Sequence, residues 1–209
     1  MFIPLVDQLR CVRAHADTWL VASIERAEDR DIKLGFLGCP TCLAEYQIRD
    51  GVVYFAEREI AAPFIAPDEE DATRIAAVLD LTEPRMTALL HGRWAAHAPL
   101  VRAISPAQLI ALDPPQGLVS GDGISILVAD IAPLAAGSMH AVAIDTPATD
   151  ELMASLRRAL RGGARLLAPA AMRLPDGFTE IARDDSVWVA RLDDTATVSA
   201  PIQLTRRAQ

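Results

Sequence analysis

The sequence predicts an α/β protein built on a mostly parallel sheet with an antiparallel edge hairpin, preceded by a small, cysteine-anchored β unit. Three observations carry this. From residue 72 onward, short apolar runs alternate with segments of helical periodicity, the pattern of a doubly wound sheet buried on both faces. All three cysteines fall within the first 42 residues, two of them in Cys39-Pro40-Thr41-Cys42, directly ahead of an alternating strand. Between the two regions lies a proline-punctuated stretch that ends in Asp68-Glu69-Glu70-Asp71. The boundaries that follow are a small unit over 1–60, a linker over 61–71, an α/β unit over 72–195 and a polar tail over 196–209.

Composition narrows the classes. With 209 residues, 51% of them apolar, the chain can bury one ordinary core and a small second one. A net charge of −8 gives no general attraction for phosphate backbones or anionic membranes, so nucleic acid is not an expected partner. No apolar run reaches the roughly 20 residues that span a bilayer, and Met1-Phe2-Ile3-Pro4 lacks the basic region and cleavage site of a secretion signal. An odd number of cysteines at knuckle spacing indicates reduced thiols in a cytoplasmic protein, not a disulfide framework.

Taken in order, residues 19–24 read as a strand, 25–33 as a charged turn, and 46–55 as a hairpin through Asp50-Gly51. Carboxylates favour the positive end of a helix, which places one over 72–81 with Ile75, Val78, Leu79 and Leu81 on its apolar side. An apolar run over 86–91 ends at Gly92, and 94–104 fits a helix. Strands over 109–112, 124–128 and 141–144 end at Asp113, Asp130 and Asp145 respectively. A helix over 149–160, stopped by Gly162-Gly163, leads to a strand over 165–168, and 178–183 pairs with 187–192 around Asp184-Asp185. The connections over 113–123 and 130–138 are shorter than the dozen or so residues of a normal parallel crossover, so covering helices are expected to be missing there. A parallel sheet cannot leave an apolar face in water. The ribbon, a protein partner or a second copy of the chain is expected to cover it.

The Cys39/Cys42 knuckle and its following hairpin are half of a zinc ribbon: two thiolates on a tight turn reach one metal, and the hairpin holds the turn. Upstream, Cys11 and His15 are the candidates for the second pair, giving a Cys3His zinc site of Cys11, His15, Cys39 and Cys42. A closed four-ligand site has no position for substrate, which makes the zinc structural. The alternative is a ribbon held by its hairpin and by docking, with free buried thiols.

Cys39-Pro40-Thr41-Cys42 followed by Tyr46-Gln47-Ile48-Arg49-Asp50-Gly51 resembles the small zinc-ribbon activator family that binds and stabilises methyltransferases. That resemblance implies a second cysteine at position 14, where this chain has Ala14. The α/β part resembles a class I S-adenosylmethionine (SAM)-dependent methyltransferase, a Rossmann-like fold. The signs are the strand ending at Asp113, Val128-Ala129-Asp130, and the run from Leu156 through Gly162-Gly163 to Leu167. It implies SAM as cofactor, with the turn at Gly92 beside it, Asp113 on the ribose hydroxyls and Asp130 on the adenine amino group. Each Asp also reads as an ordinary strand-end carboxylate. His91-Gly92-Arg93-Trp94 has one glycine and two bulky residues where that turn uses glycines. Asp145-Thr146-Pro147-Ala148 lacks the second proline and the aromatic of the amino-methylating motif. His91, His97 and His140 have no partner spacing that orients a base, so no catalytic residue is assigned. The expectation is a methyltransferase-like binding module of little or no activity, with an active methyltransferase carrying a built-in activator as the rival.

Overall fold

A computed structural model describes residues 1–145 and 148–194; Thr146, Pro147 and the predicted tail over 196–209 lie outside the described residues. The first strands form a meander. Strand β1 (Val21–Glu28) pairs antiparallel with β2 (Asp31–Gly38) through Asp29-Arg30, both at positive φ (47° and 73°). Strand β2 pairs with β3 (Glu45–Arg49), which turns through Asp50-Gly51 (φ 50° and 80°) into β4 (Val52–Tyr54). Asp-Gly suits the left-handed pair of angles that such a two-residue hairpin needs. The sequence places a turn over 25–33, whereas the strand runs through the charged residues to Glu28. An edge strand exposed on nearly all its length has no apolar alternation to betray it.

Downstream come α1 (Glu69–Val78), β5 (Thr87–His91), α2 (Ala98–Ile104), β6 (Gln108–Leu112), β7 (Ile124–Val128) and β8 (Met139–Ala143). Then follow α3 (Asp150–Ala159), β9 (Leu160–Pro169), β10 (Phe178–Arg183) and β11 (Val187–Leu192). All described strands belong to one sheet, ordered β1-β2-β3-β4-β7-β6-β5-β8-β9-β11-β10. Strands β7-β6-β5-β8-β9 are parallel neighbours in the 3-2-1-4-5 order of a Rossmann-like sheet, and β11 lies antiparallel to both β9 and β10. The β1–β4 meander extends this sheet directly, because β4 pairs parallel with β7 (Val52 opposite Ile126, Tyr54 opposite Val128).

The three described helices also differ from the sequence reading, each for a local reason. Helix α1 begins at Glu69, three residues before the predicted start, because the Asp68 carboxylate accepts from Asp71 N at 3.0 Å and caps it. The helix predicted over 94–104 is a 3-10 segment, Gly92–His97, followed by α2; Pro99, which lacks an N–H, sits in the first turn of α2. Helix α3, capped by Thr149, ends at Ala159, and Gly162-Gly163 lie inside β9 instead of terminating the helix. Gly163 at φ 75° takes up the irregularity in the β8–β9 pairing.

The parallel part of the sheet is buried on both sides. Helix α1, the 3-10 segment and α2 cover one face, with Ile75, Leu79, Trp94 and Val101 over Leu90, Leu109 and Ile126. Over the other face lie α3, the N-terminal segment and residues 129–138. The connections over 113–123 and 129–138 contain no described helix. Cover there comes from the chain's own start. The 3-10 turn Ile3–Gln8 buries Leu5, while Leu9 bridges to Leu134 and Arg10 N donates to Pro133 O at 2.9 Å. Met1, Leu5, Leu9 and Leu134 join Leu89, Ile110, Leu112 and Val142 in one apolar cluster, each fully buried leucine contributing about 2 kcal/mol. No described helix is long and apolar enough to cross a membrane.

Candidate functional site

Two loops bring the ribbon's donor atoms together. The first, over 11–18, is closed by Cys11 N donating to Thr18 O at 3.1 Å. The second is the knuckle, where Leu43 at φ 57° lets its N–H reach Cys39 O at 2.9 Å, and Cys39 N reaches Ala44 O at 2.9 Å. As a result Cys11, His15, Cys39 and Cys42 each place one ligand atom within 4.8 Å of all the others. Cys11 Sγ and Cys42 Sγ are 3.7 Å apart, and His15 Nε2 lies 3.1 Å from Cys11 Sγ and 3.4 Å from Cys39 Sγ. Tetrahedral zinc with bonds of about 2.3 Å to sulfur and 2.0–2.1 Å to nitrogen needs sulfur pairs about 3.8 Å apart and sulfur–nitrogen pairs about 3.5 Å apart. The donor set fits zinc in number, chemistry and spacing. His15, not position 14, supplies the fourth donor because its longer side chain returns to the cluster.

The surrounding groups prepare these donors. His15 Nδ1 lies 2.7 Å from Ala16 O, so it carries the proton and leaves Nε2 with the free lone pair that a metal requires. Burial opposes ionisation of Cys39, but N–H groups of Cys42 and Thr41, with the Cys42 and Cys11 side chains, outweigh it and bring the thiol down to about 6. Burial pushes the Cys11 thiol up, against which the Tyr46 hydroxyl, 3.1 Å from its sulfur, favours the thiolate. Tyr46 also accepts from Val12 N at 3.3 Å, so it fixes the loop as well as the sulfur. The sequence reading missed Tyr46 as a supporting group. Its signals are its place at the head of the Tyr46-Gln47-Ile48-Arg49-Asp50-Gly51 run and its burial on the strand that leaves the knuckle.

The other predicted residues lie at the carboxyl ends of the parallel strands, where open α/β sheets bind ligands. Asp113 ends β6 at φ 47°, and its Oδ1 accepts from Ala129 N at 3.3 Å. Asp130 follows β7. Arg58, from the loop after β4, spans the two: its Nη2 is 2.7 Å from Asp113 Oδ2, 3.4 Å from Asp130 Oδ1 and 3.3 Å from Ala129 O. The bond it donates to Asp113 is the main reason the guanidinium is held even more firmly charged than usual. Gly92, at φ 61°, turns the chain out of β5. A side chain there would meet Asp145 Cβ at 3.0 Å and Oδ2 at 3.1 Å, which explains the glycine. Asp145 in turn accepts from Arg93 N at 3.1 Å and pairs with Arg93 Nε at 3.4 Å. Trp94 points into the core, donating to Ile144 O at 3.0 Å. His91 is buried, and its Nδ1 accepts from Asp145 N at 3.2 Å; burial, against the charges of Asp113 and Asp145, holds it below the usual imidazole range. Gly92, Asp113 and Asp130 therefore share one rim, where arginines already pair the acids. A surface cavity beside this rim is lined by Tyr54, Glu57, Arg58 and Glu59.

His97 and His140 are equally committed, their Nδ1 atoms accepting from Asp68 N and Thr87 N at 3.1 Å each. Sequence reasoning had no means of finding Arg58, which lies 55 and 72 residues from its two partners in a loop of no recognisable motif.

No family model matches the sequence, and neither does any curated protein. Solved structures of similar fold include a putative SAM-dependent methyltransferase from Methanococcus maripaludis, 11% identical over 60% of this chain and 84% of that one, with a TM-score of 0.46. A second is the 1,6-didemethyltoxoflavin-N1-methyltransferase of Burkholderia thailandensis, at 9% identity, 60% and 77% coverage and a TM-score of 0.44. A third is the geranyl diphosphate C-methyltransferase of Streptomyces coelicolor, at 14%, 47%, 44% and 0.39. This chain spans less than half the length of that last protein.

Proposed function

We propose that the protein is a methyltransferase-like binding module: a structural zinc on Cys11, His15, Cys39 and Cys42 anchors the ribbon, and the α/β sheet transfers methyl groups poorly or not at all. The observation that carries the second half of this reading is Arg58. A guanidinium 2.7 Å from Asp113 and 3.4 Å from Asp130 takes up both acids that would otherwise receive the sugar and base of a nucleoside cofactor. For the first half, support comes from the convergence of four donors within 4.8 Å, and thiolate ligands suit a reducing, cytoplasmic setting. When bound, zinc would supply a cross-link between the two loops and no chemistry, since its four positions are filled by protein. A protein partner, or a second copy, belongs to the same proposal. Exposed Trp19, Val21 and Leu43, the last 81% accessible, give the ribbon an apolar surface for it.

The rival reading, an active SAM-dependent methyltransferase with its activator fused in cis, draws on two observations. The ribbon joins the parallel sheet by regular β4–β7 pairing, and Asp113 and Gly92 keep positive φ at the strand ends where a cofactor would lie. Calorimetric titration with SAM separates the two. The module reading expects no saturable binding in the micromolar range, and saturable micromolar binding by the wild-type chain would overturn it.

A further inference from the structure

We infer that Arg58 is the residue that determines whether the rim between β6 and β7 accepts an adenosine-type ligand, its guanidinium standing in for the ligand between Asp113 and Asp130. The inference deepens the proposed function and rests on its reading of this rim as a nucleoside cleft.

The placement of Arg58 is built in. Phe55 N and Ala56 N both donate to Val128 O, at 2.8 and 3.2 Å, which ties the loop after β4 across the end of β7. Arg58 N then folds back onto Ala56 O at 2.9 Å and aims the side chain along the rim. There the guanidinium touches an acid on each neighbouring strand end and the Ala129 carbonyl between them. It therefore fills the space between the two carboxylates as well as neutralising them. A ribose diol recognised by Asp113 has to replace the Arg58 Nη2–Oδ2 bond, and an amino group recognised by Asp130 has to replace the second contact. The side chain remains 41% accessible, so it can swing into solvent without unfolding anything. Arg58 also reaches the rim only because the ribbon is docked: β4, four residues earlier, pairs with β7. The ribbon thus controls access to the cleft of the unit it extends.

The test is calorimetric titration with S-adenosylhomocysteine of wild type, Arg58→Ala, Arg58→Gln and the double variant R58A/D113A, with melting temperature and zinc content as checks on folding. The inference expects R58A and R58Q to bind at least about tenfold more tightly than wild type, and R58A/D113A to lose that gain. R58Q keeps the length of the side chain and decides the matter should R58A fold poorly. Binding by neither single variant overturns the inference while leaving the module reading intact. Wild type binding as tightly as both overturns the inference and the module reading together. A gain that survives in R58A/D113A also overturns it, because the ligand would then not be using Asp113.

Discussion

The ribbon cluster and the strand-end rim both gather polar side chains from distant parts of the chain, yet they are resolved in opposite ways. In the ribbon, three sulfurs and an imidazole nitrogen point at one another, and their neighbours, Tyr46, Ala16 O and the knuckle N–H groups, prepare them to donate electron pairs. At the rim every acid is matched: Asp113 and Asp130 by Arg58, Asp145 by Arg93. Lone pairs gathered this closely favour a cation between them, whereas each acid at the rim is already matched by an arginine. An incoming ligand therefore has to displace an arginine at the rim, and among the described residues no such counter-ion stands between the ribbon donors.

The largest effects are expected at the ribbon. Cys39→Ser is expected to abolish zinc retention and to lower the melting temperature by on the order of 10 °C, read by calorimetry with parallel metal analysis. An unchanged melting temperature would mean that the hairpin and its docking hold the ribbon without metal. Next, His15→Cys should keep the metal while His15→Ala weakens its binding, because donor chemistry and not the imidazole itself is required; equal zinc content in both would remove His15 from the ligand set. Tyr46→Phe, which deletes the hydroxyl beside Cys11, should reduce zinc affinity roughly 10–100-fold in competition with a chromophoric chelator. The rim gives the smallest effect. Arg58→Ala should change stability by less than about 1 kcal/mol in urea unfolding, since the pair is partly exposed and screened. A loss of several kcal/mol would make Arg58 a structural strut instead of a displaceable occupant.

Much of this molecule was legible in the sequence, for physical reasons that differ by region. The knuckle was readable because Cys39 and Cys42 are local to one turn, and the strands β6, β7 and β11 because burial on most of their length writes itself as an apolar run. The hairpin of β10 and β11 followed from an Asp-rich turn whose Asp184 accepts from Ser186 N and Val187 N. What escaped were features set by long-range geometry or by exposure. The charged half of β1 carries no pattern because solvent lies on both sides of it. The parallel β4–β7 junction joins residues more than seventy positions apart. The cover supplied by Met1, Leu5 and Leu9 comes from the unit over 1–60, one of the three covers expected, but nothing local marked these residues as the ones that supply it. Arg58 belongs to the same class: its meaning lies wholly in the two strand ends it happens to reach.

The central claim is that Cys11, His15, Cys39 and Cys42 hold a structural zinc ion. Metal analysis of protein purified without chelators tests it most directly. The account predicts about one zinc ion per chain, lost together with cooperative unfolding of the ribbon when the metal is stripped. Protein that is fully folded and carries no zinc above background would contradict it.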